Sequence, residues 1–224
     1  MEMPGGWTMS LMWMRMHGQT WAASATSFLL MWLAMMVAMM MPSALPIFLN
    51  TRRSLAEAKA ANTPAFLTLL ASGYFTVWLA VGAGIYAFGV AFATATTRWE
   101  SFSRTVPVLS GTSLIAAGLF QFTRWKMSGL LRCRSALGCA ASCPERETSF
   151  RLGCKQGVAC CVCCTAPMMI QLALGVMNPL VMVGVALVIA AEKLLPRPEI
   201  VFRFIGVVAI VAGVGTIARI LLTH

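Results

Sequence analysis

The chain consists of long, continuous apolar runs separated by short polar segments. Most runs are long enough to cross a hydrocarbon core of about 30 Å as a helix. Apolar and polar positions do not alternate along them, so the pattern favours helices over a barrel. The sequence therefore predicts an all-α polytopic transmembrane helix bundle of five or six spans. We predict a leader at 1–23 and one domain at 24–224, with spans at about 24–49, 65–93, 106–122, 157–177, 179–192 and 200–222.

The apolar stretch 157–191 decides between five and six spans. At about 1.5 Å per residue it is too long for one straight span, and Met177-Asn178-Pro179 is the expected break. With the long loop 123–156 on the cytoplasmic side, a turn at Asn178 gives six spans and places more Lys and Arg inside than five spans do. Because that turn leaves two short helices, a kinked five-span arrangement stays open. Both arrangements place the N-terminus outside.

Composition limits the chemistry that the chain can perform. Hydrophobic residues make up 59% of its 224 residues, charged residues make up 11%, and Asp is absent. With so few carboxylates, we expect neither paired-acid hydrolysis nor a carboxylate-rich Mg²⁺ or Ca²⁺ site. The net charge of +10 comes from basic residues scattered between the apolar runs, where they set orientation and contact anionic lipid. The lipid bilayer is thus an expected partner, and nucleic acid is not.

Methionine is concentrated towards the N-terminus. The leader carries Met9, Met12, Met14, Met16 and His17, and the first span carries Met31, Met35, Met39 and Met40 near helical spacing. Thioethers bind soft cations without deprotonation, which suits a compartment where thiols would oxidise. The alternative is that these methionines are adaptable packing, and that the leader, with its tryptophans, lies at the membrane interface.

A cluster of cysteines opens the apolar stretch after the loop. Four of them fall within five positions, namely Cys160, Cys161, Cys163 and Cys164. On a helix several of these sulfurs face one partner, and Met168 continues the row. Thiolate and thioether suit Cu(I), and thiolate also suits Zn(II) or an iron–sulfur cluster. This density favours ligation or redox chemistry over the packing of small hydrophobic side chains.

The polar loop 123–156 adds Cys133, Cys139, Cys143 and Cys154. Their spacing matches no standard zinc-ribbon or ferredoxin pattern. If the loop folds back over positions 160–164, it forms a thiol-lined port at one membrane face. Further along, Glu192 has two interpretations, because it is either a surface residue beside a helix end or an intramembrane group that takes part in ion passage.

Several segments resemble a known family. These are A-G-L-F-Q-F-T-R-W-K-M-S-G-L-L-R-C-R at 117–134, G-V-A-C-C-V-C-C-T-A-P-M-M at 157–169, G-V-M-N at 175–178 and E-K-L-L-P at 192–196, with a Met-rich first span. Together they resemble the bacterial predicted metal-binding integral membrane proteins, the domain of unknown function 2182. The resemblance covers about 31–215 and implies a multi-span inner-membrane protein. The positions that match the family pattern are Met31, Met35, Met39, Met40, Lys126, Cys133, Arg134, Cys160, Cys163, Cys164, Asn178, Glu192 and Lys193.

Two positions depart from the family pattern. Gly129 stands where the family usually has a first loop cysteine, and Thr165 stands where it usually has Trp. Additional cysteines at positions 139, 143, 154 and 161 are candidates to replace the missing ligand.

We therefore expect a membrane protein that binds a soft metal ion, with Cu(I) as the cofactor or cargo, and that transports or delivers it. The expected ligands are Cys160, Cys163, Cys164, Cys161, Cys133, Met168, Met35, Met39, Met31 and Met40. The expected location is the bacterial inner membrane, with a metallochaperone or a larger membrane complex as partner, and no enzymatic activity is expected. Two alternatives remain, a membrane thiol–disulfide oxidoreductase and a structural or assembly subunit of a larger complex.

Overall fold

A computed structural model describes residues 2–3, 7–8, 20–57, 63–135, 146–175, 179–195 and 198–223. In these ranges the helices are α1 (Trp21–Glu57), α2 (Thr63–Arg98), α3 (Glu100–Gln121), α4 (Arg124–Ser135), α5 (Arg146–Leu174), α6 (Pro179–Leu194) and α7 (Pro198–Thr223). The two-residue strands β1 (Glu2–Met3) and β2 (Trp7–Thr8) pair antiparallel within the leader. The predicted all-α bundle is confirmed.

The helices offer four to five candidate membrane spans among the described residues. Four are long and apolar enough to cross a membrane: Trp21–Met41, Thr63–Arg98, Ser149–Leu174 and Pro198–Leu222. Helix α3 and the first part of α4 pass the same test as a pair bent by 66°, which gives a fifth. Helix α6 has 16 residues, which is short for a core that needs about 20. Five spans therefore agree with the prediction, and six would require α6 to cross.

The predicted break within 157–191 separates α5 from α6. Helix α5 ends at Leu174, and Gly175 follows with a φ of 110°. The Gly175 amide donates to the carbonyl of Gln171 at 3.0 Å. Glycine adopts this left-handed conformation without the steric cost that a side chain brings, so it is a common helix terminator. Asn178, in the predicted turn, lies outside the described residues.

The segment 123–156, predicted as a polar loop, is largely helical where the structure describes it. It contains α4 and the first turns of α5. Helix α4 buries Lys126, Leu130 and Cys133 and exposes Trp125. The buried positions recur at intervals of four and three, which is the spacing of one helix face. The segment predicted as a Cys-rich loop therefore contains an amphipathic helix, whose exposed basic residues make the sequence polar.

The core lies mainly between α1, α2, α5 and α6. It combines aromatic side chains such as Phe28, Trp32 and Trp78 with most of the buried sulfur residues. The indole Nε1 of Trp32 donates to the carbonyl of Trp78 at 3.0 Å, which ties α1 to α2. Helix α3 packs chiefly against α7, where small residues allow close approach. The chemistry of the chain is therefore concentrated in the first group of helices and in α4, which adds Leu130 and Cys133 to the same core.

Candidate metal centre

Three buried thiols from two helices lie close together. Cys133 is on α4, Cys160 and Cys163 are on α5, and their Sγ atoms all lie within 4.8 Å of one another. Cys160 and Cys163 share one face of α5 because three residues make nearly one helical turn. Helix α4 packs against α5 and supplies the third sulfur. We call these three residues the thiol cluster.

Two further sulfurs extend the thiol cluster. Cys164 Sγ lies 3.6 Å from Cys163 Sγ and 3.9 Å from Cys160 Sγ. Met40 Sδ, on α1, lies 4.0 Å from Cys160 Sγ. Both side chains are buried. Thioether and thiol donors from α1, α4 and α5 therefore meet around Cys160.

Cys160 also has two polar partners from other helices. Lys193 Nζ, on α6, donates to Cys160 Sγ at 3.0 Å, and Tyr74 Oη, on α2, lies 3.0 Å from the same sulfur. Both side chains are buried. A buried ammonium requires an anionic or strongly polar partner, and thiolate is the form of cysteine that binds metal. Lys193 therefore compensates negative charge that metal binding would place on the cluster.

Gln156 fixes the Cys133 side of the cluster. Its Nε2 donates to the Cys133 carbonyl at 2.9 Å and lies 3.4 Å from Cys133 Sγ. A cavity of about 10 Å³ adjoins these groups and is also lined by Cys160, Lys193 and Tyr74. Such a volume is close to the minimum that holds one water-sized particle. The polar groups thus surround a space of the size of a single ion or water.

A buried ion pair lies next to Lys193 in the sequence. Lys126 Nζ, on α4, donates to both carboxylate oxygens of Glu192 at 2.8 Å. Gln121 Nε2 contacts one of the same oxygens at 3.3 Å. Glu192 is only 2% exposed, so its interpretation as a surface residue was wrong. The pair holds α6 against α4 and so helps to position the neighbouring Lys193.

Three of the other predicted ligands line a separate, apolar cavity. Cys161 and Met168 on α5 and Met35 on α1 border this cavity, together with Trp32 and Trp78. Cys161 is half-buried, whereas its neighbour Cys160 is fully buried in the thiol cluster. The structure therefore divides the predicted sulfur ligands between two sites.

The remaining predictions have different outcomes. Met39 is buried in the same core as the thiols, and Met31 is half-buried on α1. Cys154 Sγ contacts the carbonyl of Gly73 at 3.6 Å, and neither Cys154 nor Cys161 belongs to the thiol cluster. The predicted residues Cys139, Cys143, Met9, Met12, Met14, Met16 and His17 lie outside the described residues.

The donor set of the thiol cluster fits one soft ion. The three Sγ atoms lie within 4.8 Å of one another. Two thiolates that bind one ion at about 2.3 Å, as in zinc sites, are at most about 4.6 Å apart, so only a small movement of the side chains is needed to bind an ion. Thiolate and thioether are the ligands that select Cu(I). The buried carboxylate of Glu192, next to Lys193 in the chain, is engaged by Lys126. A hard cation such as Mg²⁺ or Ca²⁺, which requires oxygen ligands, does not fit.

The sequence did not assign a role to Tyr74 or Gln156, and it named Lys193 only through the family resemblance. Gln156 precedes Cys160 by four residues, so helical spacing could have placed it on the same face of α5. Tyr74 is one of only two tyrosines and stands inside an apolar run. A phenol in such a run signals a buried hydrogen bond, but its partner depends on tertiary packing.

The fold and the site together define the class of protein. It is a membrane-type helical bundle with a buried site for a soft metal that is built from thiols. A family model described as copper chaperone, PpoB2, matches residues 29–216. The chain therefore belongs to the PpoB2 copper chaperone family. This match supports the expected copper-related membership but not the name domain of unknown function 2182. The comparison with curated proteins and the comparison with solved structures found no match.

Proposed function

We propose that the protein is an integral membrane copper chaperone that binds Cu(I) at the thiol cluster and passes it on. The observation that carries this proposal is the convergence of three buried thiols in a chain of a copper chaperone family. Buried sulfur donors select Cu(I) over the harder cations that cells contain in excess. The contact of Lys193 with Cys160 limits the negative charge that thiolates place in an apolar environment.

In this proposal methionines supply the ion to the thiols. Met40 adjoins Cys160 at 4.0 Å, and Met39 and Met35 precede it on α1, buried in the same core. Neutral thioethers keep binding copper where thiols would oxidise, because they need no deprotonation. A series of weak ligands that ends at a stronger site lets an ion move, whereas one very tight site would trap it. The leader methionines would receive the ion first, outside.

The proposed setting is the bacterial inner membrane, with the N-terminus outside and the thiols towards the reducing cytoplasm. Cytoplasmic thiols stay reduced, and reduced thiols are the ones that can bind copper. The proposed acceptor is a metallochaperone or a larger membrane complex that takes the ion by ligand exchange. A transfer of this kind requires no nucleotide hydrolysis by the chain itself.

Copper analysis of the reduced, detergent-purified protein after anaerobic loading tests the proposal. We expect about one Cu(I) per chain, with a sulfur-only ligand shell in X-ray absorption. Cys160→Ser should lose most of this copper because serine offers no soft ligand. Cys154→Ser is the matched control, since it makes the same substitution on the same helix, at a thiol that contacts Gly73 instead of the cluster.

Three outcomes would contradict the proposal. The first is a wild-type protein that stays metal-free after loading. The second is equal copper loss in Cys154→Ser and Cys160→Ser when both variants elute as folded protein. The third is a defined disulfide between Cys133 and a cysteine of α5 that forms reversibly, has a measurable reduction potential and requires no stoichiometric metal. That result would support the function of a thiol–disulfide oxidoreductase. Full activity of an assembly partner with all three thiols replaced would instead support the structural subunit.

A further inference from the structure

The apolar cavity between α1, α2 and α5 is a second site with a chemistry of its own. Its volume is about 250 Å³, and its walls include Trp32, Trp78, Val81 and Gln171. Leu172 also lines it and is 44% exposed, so the cavity reaches the outer surface of the bundle. In a membrane that surface faces lipid, so a molecule dissolved in the bilayer can enter.

Two polar atoms of the lining residues lack a partner. Trp78 Nε1 and Gln171 Oε1 are buried without a hydrogen-bond partner in the part of the chain that the structure describes. Each residue is 2% exposed. An indole N–H only donates and an amide oxygen only accepts, and an unmet hydrogen bond in an apolar environment is costly. Both residues line the cavity, so one donor and one acceptor without a partner lie just beneath its apolar surface.

The other polar atoms of the same two residues and of Trp32 are engaged. Trp32 Nε1 donates to the Trp78 carbonyl at 3.0 Å, and Gln171 Nε2 contacts Met35 Sδ at 3.7 Å. The second contact also orients the amide. The hydrogen-bonding groups left without a partner are thus one indole N–H and one amide C=O, and a soft metal selects neither of them as a ligand.

We infer that this cavity binds a membrane-soluble hydroxylated aromatic molecule of about two rings. An apolar cavity of about 150 Å³ is enough for benzene, and the larger volume here matches a bicyclic ring system. A hydroxyl group both accepts and donates, so a small shift of either side chain lets it pair with Trp78 Nε1, Gln171 Oε1 or both. The flat faces of Trp32 and Trp78 suit an aromatic ring. This site goes beyond copper handling and does not depend on it.

Paired ligands test the inference with the full chain in lipid nanodiscs, empty nanodiscs being the background. The probes are 2-naphthol and naphthalene, which differ by the hydroxyl group. We expect saturable binding of 2-naphthol and at least about tenfold weaker binding of naphthalene, because a site built for a hydrogen bond rejects the analogue that lacks it. Gln171→Leu and Trp78→Phe should each lower this preference while naphthalene still binds.

A space-filling variant supplies the second measurement. Val81→Trp places a ring inside the cavity and should abolish saturable binding of both probes, whereas Val208→Trp, on the exposed face of α7, should leave both unchanged. Cys160→Ser should keep 2-naphthol binding, which separates this inference from the copper proposal. Absence of saturable 2-naphthol binding to the wild type, or equal affinity for both probes, overturns the inference. So does a second bound Cu(I) that Val81→Trp removes, because the cavity would then be a metal site.

Discussion

Cys160 and Cys161 are neighbours in the sequence, yet they lie on two different faces of α5. Cys160 faces three other thiols, a lysine and a tyrosine, and its surroundings are polar and sulfur-rich. Cys161 faces a largely apolar cavity that also contains Thr165 and Met168. One face carries a lysine beside a thiol, and the other is bordered by Trp78 and Gln171, each with one polar atom that has no partner among the described residues. The same short motif therefore contributes to two kinds of site.

The difference shows that potential ligands that are close together in the sequence are not necessarily close together in the folded structure. Consecutive residues on a helix point about 100° apart, so a run of four cysteines cannot converge on one ion. The partners that complete the site come from distant elements, Cys133 from α4 and Met40 from α1. The face of the helix on which a residue lies, more than the helix to which it belongs, decides which site it contributes to.

The largest expected effect comes from breaking the ion pair that supports the thiol face. Glu192→Gln leaves Lys126 buried with no anionic partner, and removal of one member of such a pair costs about 3–5 kcal/mol. Equilibrium unfolding of the detergent-solubilised protein measures the loss. The double variant Lys126→Met/Glu192→Met should recover much of it, because no unpaired charge remains. Equal stability of Glu192→Gln and the wild type would contradict the pairing.

Removal of the positive charge of Lys193, which lies beside Cys160, should weaken copper binding more than it destabilises the fold. Lys193→Met deletes the ammonium that contacts Cys160 Sγ at 3.0 Å. A hydrogen bond to a charged group is worth about 1.5–3 kcal/mol, so we expect copper affinity to fall by about 10- to 100-fold. Competition with a chromophoric Cu(I) chelator measures the change, and Lys193→Arg should restore part of it. An unchanged affinity in Lys193→Met would separate the lysine from the metal site.

The helical class and most of the spans could be predicted from sequence, because an apolar run leaves few alternatives in a bilayer. The density of thiols likewise pointed to α5. The partners that each sulfur contacts could not be predicted, since they depend on how α1, α4 and α6 pack. The sequence left open whether Glu192 is buried, because its partner Lys126 lies in a segment that was predicted as a loop.

The cavity face can be disturbed without touching the thiols. A Cβ atom at Gly82 would lie 2.5 Å from Trp32 Cδ1, so Gly82→Ala must displace a ring that lines the cavity. Overpacking of this kind costs about 1–3 kcal/mol. At Gly84 no atom from the described residues outside its own helical turn lies within 4 Å of such a Cβ, so Gly84→Ala should be neutral or stabilising by about 0.5–1 kcal/mol. Thermal unfolding compares the two, and copper content should remain unchanged in both.

The smallest expected effect concerns the tyrosine of the thiol face. Tyr74→Phe removes the hydroxyl group that lies 3.0 Å from Cys160 Sγ and keeps the ring. The loss of one such contact is worth about 1 kcal/mol, so copper affinity should fall by about fivefold. Tyr86→Phe is the matched control, because its hydroxyl donates to Ser24 Oγ at 3.2 Å instead. If the chelator competition shows the same change in copper affinity for both variants, the change results from the loss of any core hydroxyl group. The hydroxyl group of Tyr74 then has no specific role in the metal site.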